Sequence, residues 1–338
     1  MLYTIKAGGG TFRTGGSTDT GNELGARASH TVATQAEMVV STIGATIMSW
    51  TVGGVDLIDG YLDETELRTF AGHRSAILVP WSNRIRNGVW DDAGVLRKVV
   101  DAGNHDPESL HGLVYDAEFT VAQLSDSRIE LVYQLEASAG YPYALAVSVT
   151  YELSASGLTM RLSVKNLADK PAPIGLGWHP YFFRAEEDLP NRLRATSQNM
   201  ENRAVDQRAG EWNLGASYYV LTDDDVIPLD EPFAEFYGFA DGIPDECDAS
   251  LVDVNRNIDF PVRGGRLKMC ADFATTPLGI GTWHVFAGQN LERGALESVA
   301  VEPCTAMADA LNRLREHMLV EPGQAQEMTV NLEYVPEN

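Results

Sequence analysis

The clearest pattern in the chain is an alternation of apolar and polar residues between positions 129 and 165. Apolar side chains occupy every second position over residues 129–135, 145–153 and 158–164. A period of two, rich in β-branched residues, predicts strands that each bury one face. Ser156 and Gly157, between the last two segments, are typical of a tight turn. The sequence therefore predicts an antiparallel meander whose apolar face is covered by a second layer.

Similar segments occur towards both ends of the chain. Residues 39–52, interrupted by Gly44, predict two strands, and residues 172–178 and 328–335 predict one strand each. Helical spacing of apolar residues is confined to residues 309–318. Because strands do not alternate with long helices, a parallel α/β sheet is not expected. The predicted fold is all-β: a large β-sandwich of mostly antiparallel strands with little helix.

The predicted β-pattern extends over most of the chain as one unit. No internal repeat and no linker is evident, so we predict a single β-sandwich domain over residues 31–338. Residues 1–30 are predicted to form an irregular N-terminal segment, because residues 8–25 are rich in Gly, Ser and Thr. A phosphate-binding loop is the alternative for this segment, but the glycine patterns of such loops are missing from it.

Composition and charge narrow the range of partners. Of the 338 residues, 44% are hydrophobic, which is enough for a large core without disulfide or metal support. Asp and Glu number 48 against 25 Lys and Arg, which gives a net charge of −23. Because nucleic acids and anionic membranes attract basic proteins, neither is an expected partner.

Targeting and cysteine patterns indicate where the protein works. The N-terminus has no apolar segment typical of a signal peptide, and no run approaches the roughly 18 apolar residues of a membrane span. Cys247, Cys270 and Cys304 are widely spaced and odd in number, so free, reduced thiols are expected. We therefore expect a cytoplasmic protein.

Four short segments carry polar or ionisable residues where a strand should end. They are PWSNRIRNG at residues 80–88, SLHG at 109–112, GLGWHPYF at 175–182 and VAVEPCT at 299–305. The first places Arg and Asn beside a Trp, a combination that suits the hydroxyls and the C–H face of a sugar. The alternative for this segment is a hydrogen-bonded turn without a ligand.

The other three segments each contain one ionisable candidate. His111 is either functional or structural on its sequence context alone. His179 is followed by Pro180 and flanked by aromatic residues, which lower the local dielectric and make an imidazolium readier to release its proton. Glu302 ends an apolar run, where a carboxylate must be paired, hydrogen-bonded or functional. A core histidine and a salt-bridged strand end are the structural alternatives for these two residues.

Metal and serine chemistry are not indicated. The sequence contains seven histidines, and no two have the HxH or HExxH spacing of metal ligands. No GxSxG elbow, the sign of a serine hydrolase, is present. We therefore predict neither a metal site nor a serine hydrolase.

Taken together, the segments resemble the aldose 1-epimerase (galactose mutarotase) family. The motifs PWSNRIRNG, LHG, GLGWHPYF and VEPCT occur in the family's order and are followed by VEPGQ. GATIMSW and GVDLI near the start are similar to the family's opening strands, so the resemblance runs from about Gly44 to the C-terminus. It implies a β-sandwich with a sugar cleft. It also implies an isomerase that interconverts the α and β anomers of a free aldose, such as galactose or glucose, without metal or organic cofactor.

The resemblance also implies roles for individual residues. His179 matches the general acid and Glu302 the general base, while Arg84 and His111 match substrate-binding positions. Asn83 joins this binding set because its amide suits sugar hydroxyls. The family has a further binding Asp, for which Asp245 in IPDECDASL is the candidate. Asp248 stands where a large apolar residue is usual in the family, and it is the alternative.

Two other functions stay open at this point. One is a mutarotase for hexose 6-phosphates, with Arg74, Arg84 and Arg86 as the phosphate site, although the family's phosphate-specific members differ around PW. The other is a non-catalytic sugar-binding protein on the same scaffold, since fold does not fix function. The expected partner in each case is a monosaccharide, and the protein is expected to be a monomer or homodimer.

Overall fold

The computed structural model describes residues 1–11, 33–185, 218–221, 226–229, 248–253, 257–273 and 281–337. The strands of the first half, in chain order, are β1 (Leu2–Thr11), β2 (Ala33–Ser41), β3 (Ile47–Val52), β4 (Val55–Asp56), β5 (Ala76–Leu78), β6 (Val89–Asp92), β7 (Val95–Lys98), β8 (Thr120–Leu124), β9 (Arg128–Leu135), β10 (Leu145–Leu153) and β11 (Gly157–Asn166).

The strands of the second half are shorter on average. They are β12 (Ala172–Pro173), β13 (Gly177–His179), β14 (Tyr181–Phe183), β15 (Tyr218–Leu221), β16 (Val226–Leu229), β17 (Asp248–Asp253), β18 (Asn257–Val262), β19 (Gly265–Asp272), β20 (Gly281–Phe286), β21 (Ser298–Cys304), β22 (Leu319–Val320) and β23 (Ala325–Pro336). Helix is scarce in the described residues, which agrees with the predicted all-β class.

Three large sheets are formed by the described residues, beside three two-stranded ones. A seven-stranded sheet has the order β18-β19-β23-β11-β10-β9-β8, and a four-stranded sheet has the order β1-β2-β3-β4. The third sheet has six strands in the order β17-β20-β21-β13-β5, with β14 paired to β21. Strand pairings within these sheets are antiparallel. The all-β, mostly antiparallel fold predicted from the alternation is confirmed.

The predicted meander is present as β9, β10 and β11. Val149 of β10 lies opposite Leu131 on one side and Leu162 on the other, and all three side chains are fully buried. They join one hydrophobic core with tryptophans of the other sheets, including Trp50 and Trp283. The chain turns before β11 through a hydrogen bond from the Ser154 amide to the Gly157 carbonyl. The apolar face is therefore covered by a second layer, as the alternation requires.

The irregular segment predicted for residues 1–30 is wrong for Leu2–Thr11, which form β1 antiparallel to β2. Leu2, Thr4 and Lys6 alternate with residues whose side chains turn inwards, and Ile5 is buried in the main core. The backbone of β2 forms hydrogen bonds with this short run. The glycines that follow the run make its alternation hard to see in the sequence. Residues 12–32 lie outside the described residues, and the domain boundary stays a prediction.

Two other predicted elements are shorter than expected. The strand predicted over residues 172–178 is divided into β12 and β13, because the intervening amides of Ile174 and Gly175 donate to the carbonyls of Met318 and Pro80. The helix predicted over residues 309–318 is limited to α2 (Ala310–Arg313) and a 3₁₀ turn at Arg315–His317, since Leu314 leaves helical geometry.

The remaining helical segments in the described part of the chain are also single turns. They are α1 (Glu64–Leu67) and the 3₁₀ turns Ala71–His73, Arg86–Gly88 and Val99–Ala102. None of the helices among the described residues is long and apolar enough to cross a membrane.

Candidate active site

His179 and Glu302 lie on neighbouring strands of the six-stranded sheet. His179 ends β13, Glu302 lies in β21, and the two strands pair through Gly177 and Cys304. A Cβ on Gly177 would lie 2.9 Å from Cys304 Sγ, so the glycine permits this close approach. His179 Nε2 is 3.2 Å from Glu302 Oε1, and both side chains are buried. The structure therefore brings the predicted acid and base into contact.

The position of Glu302 within its strand differs from the prediction. The sequence pattern places it at a strand end, but β21 continues to Cys304 and all seven of its residues are buried. The strand continues because Pro303 and Cys304 still have ladder partners, Trp283 and Thr282 of β20. Glu302 therefore lies within a paired strand and not at the end of one.

His111 approaches the pair from a loop. Its ring meets that of His179 edge-on, with 4.9 Å between the ring centres. The loop is held by the buried amide of Asn104, whose Nδ2 donates to the carbonyls of Leu110 and Gly112. Gly112 then pairs with Val79 just beyond β5. The candidate binding residue His111 thus stands beside the candidate acid.

Asn83 contacts His111 through its backbone. The Asn83 amide donates to His111 Nδ1 at 3.3 Å, and the His111 amide donates to the Asn83 carbonyl at 3.1 Å. Both residues have positive φ, 56° and 62°. Since Nδ1 accepts a hydrogen bond, the proton of the neutral His111 ring is on Nε2. His111 is therefore prepared to donate through Nε2.

We expect Asn83→Gly to keep the KM for sugar within about threefold, because glycine retains the amide donor and readily adopts positive φ. Asn83→Ala keeps the amide but is strained at this φ, so it should lower the free energy of unfolding by roughly 1 kcal/mol. Steady-state kinetics and urea unfolding measure the two effects. A tenfold rise in KM for the glycine variant would instead show that the side chain binds sugar, as the sequence analysis predicts.

Arg84 and the candidate binding aspartates lie around this centre. Arg84 is partly exposed, and its Nη2 is 3.5 Å from Glu108 Oε2. Its charge contributes to the electrostatic environment of His111. Asp245 lies outside the described residues. The backbone of its alternative, Asp248, begins β17 opposite Phe286. The roles of Arg84, Asp245 and Asp248 stay predictions.

Two further histidines belong to the centre and were missed by the sequence analysis as site residues. His284 of β20 lies directly opposite Glu302, with Nε2 3.9 Å from Oε1. His73 contacts the His111 ring at 4.7 Å between ring centres, and its Nε2 is 3.4 Å from Asp106. The only sequence signal for His284 is a polar residue in the apolar run TWHVF. Its proximity to Glu302 depends on strand register, which the sequence does not reveal.

A buried network of aromatic and charged side chains packs against His179, the candidate acid. Tyr181 stacks on His179 with 5.0 Å between ring centres. The Arg74 guanidinium lies over the Tyr181 ring, 5.2 Å from its centre. Arg74 is bound by Asp59, which also accepts hydrogen bonds from Arg293 and Ser298. Burial raises the pKa of Tyr181 well above its ordinary value, so its hydroxyl remains protonated. The ring of His179 is therefore fixed on a rigid aromatic face.

Burial also determines the charge of the histidines. Loss of solvation, more than any neighbouring charge, lowers the pKa of His111 and of His179 well below its usual value. Charge on His73 acts in the same direction at both rings. Both imidazoles are therefore uncharged in the folded protein at neutral pH.

These pKa values predict a loss of stability in mild acid. Because the folded-state pKa of both rings lies below the unfolded value of about 6.5, the unfolded chain binds more protons as the pH falls through this range. Each ring then lowers the free energy of unfolding by up to about 1.4 kcal/mol per pH unit. Urea unfolding of the wild type and His111→Gln at pH 7.5, 6.5 and 5.5 measures the effect.

The difference between the two proteins isolates His111 from the other groups that titrate. The stability of His111→Gln should fall less steeply below pH 6.5 than that of the wild type, since glutamine gains no proton on unfolding. Parallel pH dependences would contradict the lowered pKa of His111.

The described residues contain no group of three or more His, Cys, Asp or Glu arranged to hold a metal ion. Cys270 and Cys304 are free thiols, and burial raises the pKa of Cys304 well above its ordinary value. Cys247 lies outside the described residues. The contact between His179 and Glu302 is the arrangement that proton transfer between an imidazole and a carboxylate requires.

Comparison with known proteins places this chain in a family. Residues 29–230 match the family model of aldose 1-epimerase, a span that contains Asn83, Arg84, His111 and His179 but ends before Glu302. The chain is 26% identical over 296 residues to YihR, an uncharacterised protein of Escherichia coli K12, and the match covers 87% of this chain and 88% of YihR.

Solved structures extend the likeness to the fold. An E. coli K12 protein provisionally assigned as an aldose 1-epimerase superposes with a TM-score of 0.66 at 19% identity, covering 89% of this chain and 96% of that one. A GalM/aldose epimerase homologue from C. elegans superposes with a TM-score of 0.65 at 17% identity, covering 90% and 96%. At such identities the likeness supports the fold alone.

Proposed function

Because the chain belongs to the aldose 1-epimerase family and is thus an isomerase of the mutarotase type, we propose that it interconverts the α and β anomers of a free aldose, such as galactose or glucose. The observation that carries the proposal is the 3.2 Å contact between His179 Nε2 and Glu302 Oε1. In a hemiacetal, the ring oxygen and the anomeric hydroxyl are bonded to the same carbon. An acid that protonates the ring oxygen and a base that deprotonates the anomeric hydroxyl must therefore be close neighbours.

The proton steps follow from this pair. Glu302 takes the proton of the C1 hydroxyl while His179 protonates the ring oxygen, and the C1–O5 bond breaks to give the open aldehyde. Rotation about C1–C2 presents the other face of the carbonyl, and the same two transfers in reverse close the ring. Positioned acid and base groups contribute about 10²–10⁴-fold in such steps.

The lowered pKa of His179 affects both halves of the cycle. The pair must carry one labile proton, either as imidazolium with carboxylate or as imidazole with carboxylic acid, and one proton shift exchanges these forms. Because burial lowers the pKa of His179, its imidazolium is a stronger acid than an exposed one and gives its proton readily to the ring oxygen. The neutral imidazole left behind is stable in the buried site.

Two predicted binding residues have consistent geometry. His111 presents a neutral Nε2 donor beside His179, and such a donor can stabilise charge that develops on a sugar oxygen. Arg84 stands further out, partly exposed, where its guanidinium can bind hydroxyls. The sugar is therefore held by donors on the side of the acid.

The alternative hexose 6-phosphate substrate is less well supported. Each of its three candidate arginines already faces a carboxylate: Arg74 binds buried Asp59, Arg84 faces Glu108 at 3.5 Å, and Arg86 faces Asp309 at 4.0 Å. A phosphate would have to displace these ion pairs and would be repelled by the carboxylates that remain nearby. A non-catalytic sugar-binding role has no use for the buried acid–base contact.

The test is to follow freshly dissolved α-D-glucose, α-D-galactose, other aldoses and glucose 6-phosphate by polarimetry or NMR, with and without the protein. We expect faster approach to an unchanged anomeric ratio with at least one free aldose. Acceleration of glucose 6-phosphate alone would favour the phosphate alternative. Saturable sugar binding without acceleration of any aldose would favour the binding protein.

Location and assembly belong to the same proposal. A cytoplasmic location is supported by the free thiols of Cys270 and Cys304, since thiols persist in reducing compartments. A monosaccharide partner follows from the family and the site. The monomeric or homodimeric state stays a prediction.

A further inference from the structure

We propose that His284 is a positioning residue that holds the Glu302 carboxylate by donating an N–H from its neutral ring. The inference rests on the proposed function and concerns the base side of the same site. The resemblance that identifies the acid, the base and the binding residues assigns no role to His284.

Strand register places His284 beside Glu302. The two residues are directly opposite each other in the β20–β21 ladder, so their side chains emerge on the same face of the sheet. His284 is buried, and its Nε2 lies 3.9 Å from the carboxylate oxygen that His179 contacts at 3.2 Å. One oxygen, Oε1, is thus flanked by two imidazoles from the neighbouring elements.

The two imidazoles cannot have the same task. His179 must transfer its proton to the ring oxygen, so its 3.2 Å contact with Glu302 Oε1 is interrupted in every turnover. A buried carboxylate is costly unless donors surround it. His284 stands on the other side, is fixed by the ladder and need not move a proton. It is therefore the donor that remains when His179 is engaged with the sugar.

The proposal assigns His284 a neutral ring. Electrostatic interactions connect the centre formed by Glu302 and its neighbours His284, His179, His111, His73, Arg74 and Tyr181. A positive charge on His284 would repel the imidazolium form of His179. Charge on His284 is one of the causes that lower the pKa of His179. A neutral ring with its proton on Nε2 supplies the hydrogen bond without that opposition. The proposal requires the distance of 3.9 Å to shorten when the sugar binds, since catalytic contacts are often long in ligand-free structures and tighten in the complex.

The experiment compares His284→Leu with His284→Gln. Leucine fills the space without a donor, whereas the glutamine amide can replace the Nε2 donor but cannot titrate. We expect kcat with the fastest aldose to fall ten- to a hundredfold for the leucine variant, with KM changed less than threefold. The acid limb of its kcat/KM profile should move to higher pH, because a carboxylate without its donor is protonated more easily. Glutamine should restore kcat to within about fivefold and return the acid limb to its wild-type position.

Several outcomes would overturn the proposal. A leucine variant with wild-type kcat and pH profile would show that the donor is not needed. A glutamine variant as impaired as the leucine one would show that His284 must titrate. Thr282→Val is the matched control, since Thr282 is buried on the same strand two residues away and, among the described residues, its hydroxyl donates to the carbonyls of Cys304 and Ala306. It should retain the wild-type pH profile, and a shift like that of leucine would show that any disturbance of β20 has this effect.

A measurement without turnover separates this inference from the proposed function. The ¹⁵N chemical shifts of the wild-type histidines at pH 7.5 report the tautomer of each ring. We expect His284 to be neutral and protonated on Nε2, and an imidazolium or an Nδ1-protonated ring would overturn the proposal. If the wild type accelerates no aldose but His284 has this tautomer, the proposed function fails while the positioning of Glu302 stands.

Discussion

Replacing Glu302 by Gln is expected to lower the kcat of anomer exchange by about 10²–10⁴-fold while the protein remains folded. The amide has nearly the shape of the carboxylate but cannot accept the proton of the C1 hydroxyl. The substitution should not strand a charge, because His179 already has a lowered pKa and is neutral when unpaired. Polarimetry measures kcat, and thermal unfolding should give a Tm within a few degrees of the wild type.

Glu297→Gln provides the control for this variant. Glu297 precedes the same strand, β21, and is exposed, so the same chemical change there should leave kcat unchanged. Near-normal mutarotation by Glu302→Gln would eliminate Glu302 as the base, whatever the behaviour of the control.

The second large effect is expected for His179→Asn. Asparagine can stay in polar contact with Glu302 but cannot deliver a proton to the ring oxygen, so kcat should fall by at least about 10²-fold. Sugar binding should weaken but persist, because His111 and Arg84 belong to other segments and do not depend on His179 for their backbone positions. Isothermal titration calorimetry with the same sugar measures this binding.

His317→Asn is a suitable comparison because His317 is exposed in the 3₁₀ turn Arg315–His317, and it should behave as the wild type. Normal turnover by His179→Asn would mean that another group donates the proton, and His111 is then the first to test. Complete loss of sugar binding together with activity would assign His179 a role in holding the substrate as well.

Much of the fold could be predicted from the chain alone. The meander of β9–β11 is visible because one sheet face is buried and the other is not, so side-chain polarity reports the strand directly. β1 was not visible, because Gly8–Gly10 have no side chains whose polarity could alternate. The helix at residues 309–318 was overestimated, since its spacing also suits two short turns that pack Leu311 and Met318 into the core.

The sequence indicates residues of the candidate site only where a motif contains them. His179 and Glu302 stand in short segments with distinctive neighbours, and their contact follows once β13 and β21 pair. His284 has no such motif, and its place opposite Glu302 is set by the register of β20. The backbone role of Asn83 was equally hidden, because it depends on positive φ at two residues far apart in the chain. Distances between strands and loops are products of tertiary structure, which local patterns do not encode.

The placement of the acid and base on ladder-bonded strands has a consequence for engineering the protein. His179 and Glu302 are fixed by backbone pairing within the six-stranded sheet, whereas Arg84 and the loop of residues 104–112 surround them from outside it. Groups mounted on strands keep their geometry better than groups mounted on loops. Mutant libraries confined to the rim can therefore explore new sugars while the proton-transfer pair stays constant, which makes this scaffold a favourable starting point for directed evolution.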